Sequence, residues 1–167
     1  TDLTDKMISK TITIDGKDVV IAGVAKGSGM IHPNMATMLG FIVCDLDIEP
    51  ALLDKALKKC VKTSFNMITV DGDTSTNDMV AVMCNGLAGN ERITSEDDPA
   101  YGIFCQKLED MMIHLAKLIV SDGEGASKFV EYRVTGAPSD EIARRLVRVI
   151  SDSTLVKAAM FGRDPNW

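Results

Sequence analysis

Polar and apolar residues alternate along Lys10–Asp15 (KTITID), and Val19–Val24 (VVIAGV) forms a second β-type run, with Asp15-Gly16 between them. Two such runs around an Asp-Gly pair predict a β-hairpin, because that dipeptide accepts the positive φ angles of a tight turn. The apolar run Thr37–Cys44 reads as a buried central strand. Pro50 suits the first turn of a helix over Ala51–Thr63, and Leu52, Leu53, Ala56 and Leu57 fall on one face of it. Met67–Val70 predicts a short strand and Asp71–Asp78 a polar loop. Met79–Cys84 is another apolar run, ended by Asn85-Gly86. Asp98-Pro99 has the form of an N-cap and first turn. The helix it opens runs to Val120, with Leu108, Met111, Met112, Leu115 and Ile119 inward and the methionines filling core. Lys128–Thr135 alternates as a strand does. Ser139 or Asp140 caps a helix over Glu141–Ile150, and a helix or turn covers Thr154–Met160. Strands and helices interleave without repeats or linkers, which predicts one α+β unit over residues 1–167 with sheet and helix layers.

Composition narrows the function classes. A chain of 167 residues can bury a sizeable core. A net charge of −6 argues against a general nucleic-acid surface, which needs a basic face. No apolar run approaches the roughly 20 residues of a membrane span. The opening Thr1-Asp2-Leu3-Thr4 lacks the basic and apolar regions of a signal peptide. Cys44, Cys60, Cys84 and Cys105 are scattered and form no CxxC pair, as expected of reduced thiols in a cytoplasmic protein. With only His32 and His114, a histidine-rich metal site is not expected.

The chemistry concentrates in Lys26–Phe41 (KGSGMIHPNMATMLGF). A flexible, glycine-bearing loop runs into a small residue, a threonine and then the apolar strand. The bland reading of Thr37 is β propensity. The sharp one is a nucleophile. Cut at Ala36–Thr37, the chain would expose a free α-amine, with a pKa of about 7.7–8.0, able to activate the adjacent hydroxyl. Lys26-Gly27-Ser28-Gly29 places its lysine before the glycines, the reverse of a Walker A loop, and reads more simply as a turn with a solvated lysine. Asp71, Asp73, Ser75 and Asn77 imitate half of an EF-hand. Thr76 and Val82 stand where that loop needs glycine and glutamate, so bracing by side chain-to-backbone bonds is the better reading. Glu124, between two glycines, has the composition of a turn. His32 precedes a proline, so its backbone is extended and its role structural.

The wording of these motifs adds what spacing cannot. The run AKGSGMIHPNMATMLGFIV closely resembles the self-cleavage segment of the ornithine acetyltransferases, the glutamate N-acetyltransferases of arginine biosynthesis. Asp71–Asp78 (DGDTSTND), Asp122–Lys128 (DGEGASK) and Phe161–Trp167 (FGRDPNW) agree with the same family, in family order and across nearly the whole chain. The resemblance implies a four-layer α/β/β/α sandwich, incomplete here. It implies cleavage between Ala36 and Thr37, so that residues 1–36 are the tail of a first subunit and residues 37–167 most of a second. It implies Thr37 as the catalytic nucleophile, with Lys26, Thr37 and Glu124 contacting substrate.

By the same resemblance, acetyl passes from N-acetylornithine to glutamate through an acetyl-threonine. Acetyl-CoA is a donor in some members, and no other cofactor and no metal is implied. The cut chains assemble as a heterotetramer. The upstream part that supplies a Thr-Gly oxyanion hole, and a downstream tail with further substrate contacts, are expected to be missing, which would leave the isolated fragment inactive. Two other readings stay open on the residues alone. One is a self-processing aminopeptidase or amidase with the same threonine, in which water replaces glutamate as acceptor. The other is an inactive fragment that only associates.

Overall fold

The computed structural model describes residues 1–32, 38–73 and 77–165. The chain divides into two compact units, Thr1–Glu124 and Gly125–Trp167.

The first unit opens with the hairpin that the sequence predicts. Strands β1 (Met7–Ile14) and β2 (Lys17–Lys26) pair antiparallel from Met7↔Val24 to Ile14↔Lys17. Asp15 and Gly16 between them both take positive φ, 50° and 71°, as a two-residue turn of matching twist requires. Strand β3 (Leu39–Cys44) lies antiparallel to β2, and β4 (Met79–Cys84) lies parallel to β3, giving the sheet order β1-β2-β3-β4. A parallel pair cannot be closed by a hairpin. The crossover here carries helix α1 (Pro50–Thr63), with Pro50 in its first turn, and a 3-10 turn over Phe65–Met67. Helix α2 (Pro99–Ser121) follows β4, and the Asp98 carboxylate accepts from the Ala100 N–H at 2.9 Å to cap it.

Alternation decides which face of the sheet is covered. Val19, Ile21, Ala25, Ile42 and Cys44 turn inward and are buried beneath the helices. On α2 the five residues expected to face inward, Leu108, Met111, Met112, Leu115 and Ile119, are all buried. The intervening strand residues, among them Val20, Val24, Phe41, Val43 and Met83, form the opposite face and are exposed. Strand β3 is therefore central in the sheet but buried on one side only. The fold class is α+β, and the unit presents one helix layer on one sheet layer. An apolar, uncovered sheet face is what the sandwich implied by the resemblance needs for its second sheet.

Two expected strands are absent. Met67–Val70 is no strand. Its start completes the 3-10 turn, and the Val70 N–H bonds the Ile31 carbonyl at 2.8 Å instead of joining a ladder. In the second unit, 128–135 keeps the alternating exposure of a strand, with Val130, Tyr132 and Val134 half-buried, but is not one. A strand exists only beside another strand, and the described residues of this unit otherwise form two helices. They are α3 (Asp140–Asp152), capped by Ser139 rather than Asp140, and α4 (Thr154–Gly162), capped by Ser153. Lys128 donates to the Phe161 carbonyl at 2.7 Å and stands 5.7 Å from the centre of that ring.

Candidate active site

Strand β2 ends at Lys26, which the register sets opposite Leu39 at the start of β3. The chain between them carries the Ala36–Thr37 bond. Ala36 and Thr37 themselves lie outside the described residues. What the structure does place is the frame on either side of them.

That frame is built from the Asp71–Asp78 loop. The Asp71 carboxylate accepts from the N–H groups of Met30 (2.5 Å) and Ile31 (3.1 Å), and also from its own loop at Asp73 (3.0 Å). The Ile31 carbonyl in turn accepts from the Val70 N–H and from the Thr69 hydroxyl (3.2 Å). On the far side of the segment, Asp78 accepts from the Met38 N–H at 2.7 Å. Burial raises the pKa of Asp78, with the Met38 N–H opposing that rise. Both flanks of the threonine segment thus hang from one loop. Met30 has φ 52°, a left-handed conformation that an unbranched side chain adopts only at a cost of about 1–2 kcal/mol. The pair of N–H bonds to Asp71 holds that turn. Asp71 and Asp78 both bond backbone N–H groups, as a bracing role requires.

Glu124 reaches the same corner from the end of α2. Asp122 closes the helix, its N–H bonding the Leu118 carbonyl, and the Glu124 N–H donates to the Ser28 carbonyl at 2.7 Å. The Glu124 carboxylate lies directly against Gly29. A Cβ at Gly29 would stand 2.6 Å from Glu124 Oε2 and 3.8 Å from Asp71 Oδ2. Only a residue without a side chain admits this approach. The loop 27–29 therefore joins Lys26 on one side to Glu124 on the other. The Lys26 side chain is exposed.

Three charged side chains that link this corner to the start of the chain escape sequence reasoning. Lys6 is buried, and its ammonium lies 2.5 Å from Asp2 Oδ1 and 2.5 Å from Asp122 Oδ2. Asp2 also accepts from the Gly27 N–H at 2.9 Å, and Asp122 from the Leu3 and Thr4 N–H groups. The hydrogen bond from Lys6, helped by the Leu3 N–H, holds Asp122 down at about 2. For Asp2, burial works against ionisation, but Lys6, the Gly27 N–H and the charge of Lys26 outweigh it and lower the pKa. Burial likewise opposes the charge on Lys6, yet the bonds to Asp122 and Asp2 raise its pKa. TDLTDK reads as a polar tail, and no local signal marks Lys6 as buried.

The remaining candidates lie elsewhere. All four cysteines are free thiols. Cys44 and Cys84 are register partners at the other end of β3 and β4 from Leu39 and Met79, and Cys60 packs against Cys105 between α1 and α2. His32 is half-buried, and His114 lines a groove of about 370 Å³ between β1 and α2. Among the described residues, no group of three or more His, Cys, Asp or Glu is placed to hold a metal ion. Nor is any helix among them long and apolar enough to cross a membrane.

Comparison with known proteins covers the whole sequence. The family model described as "ArgJ family" matches residues 1–167. The chain is 53% identical over 167 residues to the arginine biosynthesis bifunctional protein ArgJ of Symbiobacterium thermophilum, covering 100% of this chain and 41% of that protein. It is 52% identical to the ArgJ protein of Geobacillus stearothermophilus, covering 100% and 40%. With the mitochondrial ArgJ protein of Verticillium alfalfae the figures are 50% over 170 residues, 100% and 37%. Among solved structures, the crystal structure of the arginine biosynthesis bifunctional protein ArgJ from Bacillus halodurans matches with a TM-score of 0.72 at 46% identity, over 76% of this chain and 59% of that one. The chain thus spans about two-fifths of the length of the curated relatives it matches.

Proposed function

The chain belongs to the ArgJ family, and we propose that it carries the nucleophile and part of the substrate pocket of a glutamate N-acetyltransferase in arginine biosynthesis. What supports this reading is that the 27–29 loop runs from Lys26, opposite Leu39, to the Glu124 carboxylate, and that Met30 and Met38, on either side of residues 33–37, are tied to Asp71 and Asp78. An amino-acid substrate carries both charges. A cation and a carboxylate joined by one short loop complement it, with Lys26 toward the α-carboxylate and Glu124 toward the amine.

The chemistry begins with self-cleavage. Thr37 Oγ attacks the Ala36 carbonyl carbon, and the peptide nitrogen departs as the ester forms. Water hydrolyses that ester, leaving a carboxylate on Ala36 and a free α-amine on Thr37. The amine then accepts the hydroxyl proton while Oγ attacks the acetyl carbonyl of N-acetylornithine. Ornithine departs with that proton on its nitrogen. The amine of glutamate attacks the acetyl-threonine, giving N-acetylglutamate and restoring the hydroxyl. Acetyl-CoA, as an alternative donor, would load the same oxygen.

The cut need not separate the pieces. Strand β2 precedes the cleaved bond and β3 follows it, and they pair from Ile21↔Cys44 to Lys26↔Leu39. This ladder supports a processed protein whose two chains stay joined through one sheet, the unit from which a heterotetramer would assemble.

The test uses a full-length family chain carrying this sequence. Thr37→Ala should stay uncut on a denaturing gel. Incubation of the processed protein with N-acetylornithine, without glutamate, should add one acetyl to the peptide that begins at Thr37, faster as pH rises through about 7.7–8.0. Cleavage of the alanine variant, or label on a cysteine, would overturn the threonine mechanism. Release of free acetate in place of transfer to glutamate would make the protein an amidase.

A further inference from the structure

We propose that Lys6 is the positioning residue of the substrate corner, locking the loop that bears Lys26 to the loop that bears Glu124. This rests on the reading of Lys26 and Glu124 as substrate contacts. The observation is a closed circuit of bonds. From Lys26 the main chain passes to Gly27, whose N–H donates to Asp2. Asp2 accepts from Lys6, and Lys6 donates equally to Asp122. Asp122 is two residues before Glu124, and the Glu124 N–H returns to the Ser28 carbonyl beside Gly27. The main chain of Lys6 is fixed as well, its carbonyl accepting from the Ala25 N–H at 2.9 Å. The Thr1 and Ser28 hydroxyls, 2.5 Å apart, close a parallel link. Lys6 joins the two carboxylates of the circuit, Asp2 on the side of Gly27 and Asp122 on the side of Glu124.

Stability alone is a weak reason for a charge in this place. The Lys6 side chain is only 1% exposed, and burying an ammonium has a desolvation cost that an apolar side chain of similar length avoids. The charge does something that length cannot. Asp2 accepts from the N–H of Gly27, the residue that follows Lys26, and so lies beside the chain that carries the Lys26 ammonium. While Lys6 holds Asp2, the Lys26 ammonium is available to a substrate carboxylate. Without Lys6, Asp2 becomes a competing partner for Lys26, and Asp122 no longer fixes the turn that leads to Glu124.

The test is the acetyl-transfer assay on the full-length processed protein, with melting temperature and extent of cleavage measured alongside. Lys6→Met should raise KM for both amino-acid substrates by about tenfold or more while kcat changes much less, with cleavage at Ala36–Thr37 unchanged. Adding Asp2→Asn to Lys6→Met removes the competing charge and should recover part of the KM loss without recovering the melting temperature, a pattern that a purely structural lysine would not produce. A folded, processed Lys6→Met protein with native KM would overturn the proposal. So would a double variant that recovers KM only in step with stability. If Lys6→Met does not fold, Asp122→Asn interrogates the same circuit, and a native KM there would overturn it equally. Glu124→Gln separates the two readings. A raised KM in Glu124→Gln with native KM in Lys6→Met rejects the positioning role alone, whereas native KM in Glu124→Gln rejects the substrate corner itself.

Discussion

Gly29→Ala isolates the Glu124 carboxylate without touching it. The new Cβ would stand 2.6 Å from Glu124 Oε2, where ordinary contact begins at 3.4 Å, so the carboxylate must move by about 0.8 Å. The backbone contributes little to the cost, because Gly29 is not among the glycines with positive φ. The displaced atom is the end of a flexible side chain, so the melting temperature should change by no more than about 2 °C. Binding should respond far more. A hydrogen bond to a charged group is worth about 1.5–3 kcal/mol, and each 1.4 kcal/mol is about tenfold in affinity. Displacing the carboxylate from the substrate-amine bond proposed for it should therefore raise KM by about ten- to a hundredfold. The assay is acetyl transfer from N-acetylornithine to glutamate by the full-length processed protein. A folded alanine variant with native KM would refute the placement of Glu124 in the pocket.

Other consequences concern the frame. Asp71→Ala removes the acceptor of the Met30 and Ile31 N–H groups and should cost about 1–3 kcal/mol. It should slow cleavage at Ala36–Thr37 as followed on denaturing gels, whereas Asp71→Asn, whose amide oxygen still accepts, should slow it less. Asp122 is held at about 2, below its unfolded value of about 3.9. Its stabilising effect is therefore fully present above about pH 4 and is lost as pH falls toward 2. The gap in melting temperature between the native protein and Asp122→Asn should stay constant from about pH 5 to 8 and close below 4. A gap independent of pH in that acid range would reject the ion pair as its source. At Gly23, an added Cβ would meet Leu115 Cδ1 at 3.1 Å, Met111 Sδ at 3.2 Å and Ile42 Cγ1 at 3.3 Å. Gly23→Ala should overpack the helix–sheet interface by about 1–3 kcal/mol, read from chemical denaturation, and an unchanged midpoint would mean that α2 can shift to accommodate it.

Local patterns determined most of the elements. The Asp15-Gly16 hairpin, the helix opened by Pro50, and the helix capped by Asp98 all rest on short-range physics: turn dihedrals, capping bonds and periodic burial. The four motifs identified the family, because their residue types recur at fixed spacings whatever the rest of the chain does. Alternation corresponds to a strand in β1 to β3, each of which has a neighbouring strand among the described residues. Lys128–Thr135 has the right alternation, but a ladder needs a neighbour, and alternation says nothing about whether one is present.

The corner itself belongs to tertiary structure. Sequence marked Lys26 and Glu124 by resemblance, yet their approach through Gly29 arises from the return of α2 to the end of β2, across almost a hundred residues of chain. Asp71 and Asp78 were legible as a bracing loop. That they grip opposite flanks of the threonine segment followed from the crossover that sets β4 beside β3. Lys6 was legible in neither way. Its burial depends on two carboxylates, one four residues earlier and one at the end of α2, and long-range electrostatic pairing leaves no periodic trace in a sequence. The motifs identify the family, while the distances between charges depend on how distant segments of the chain pack.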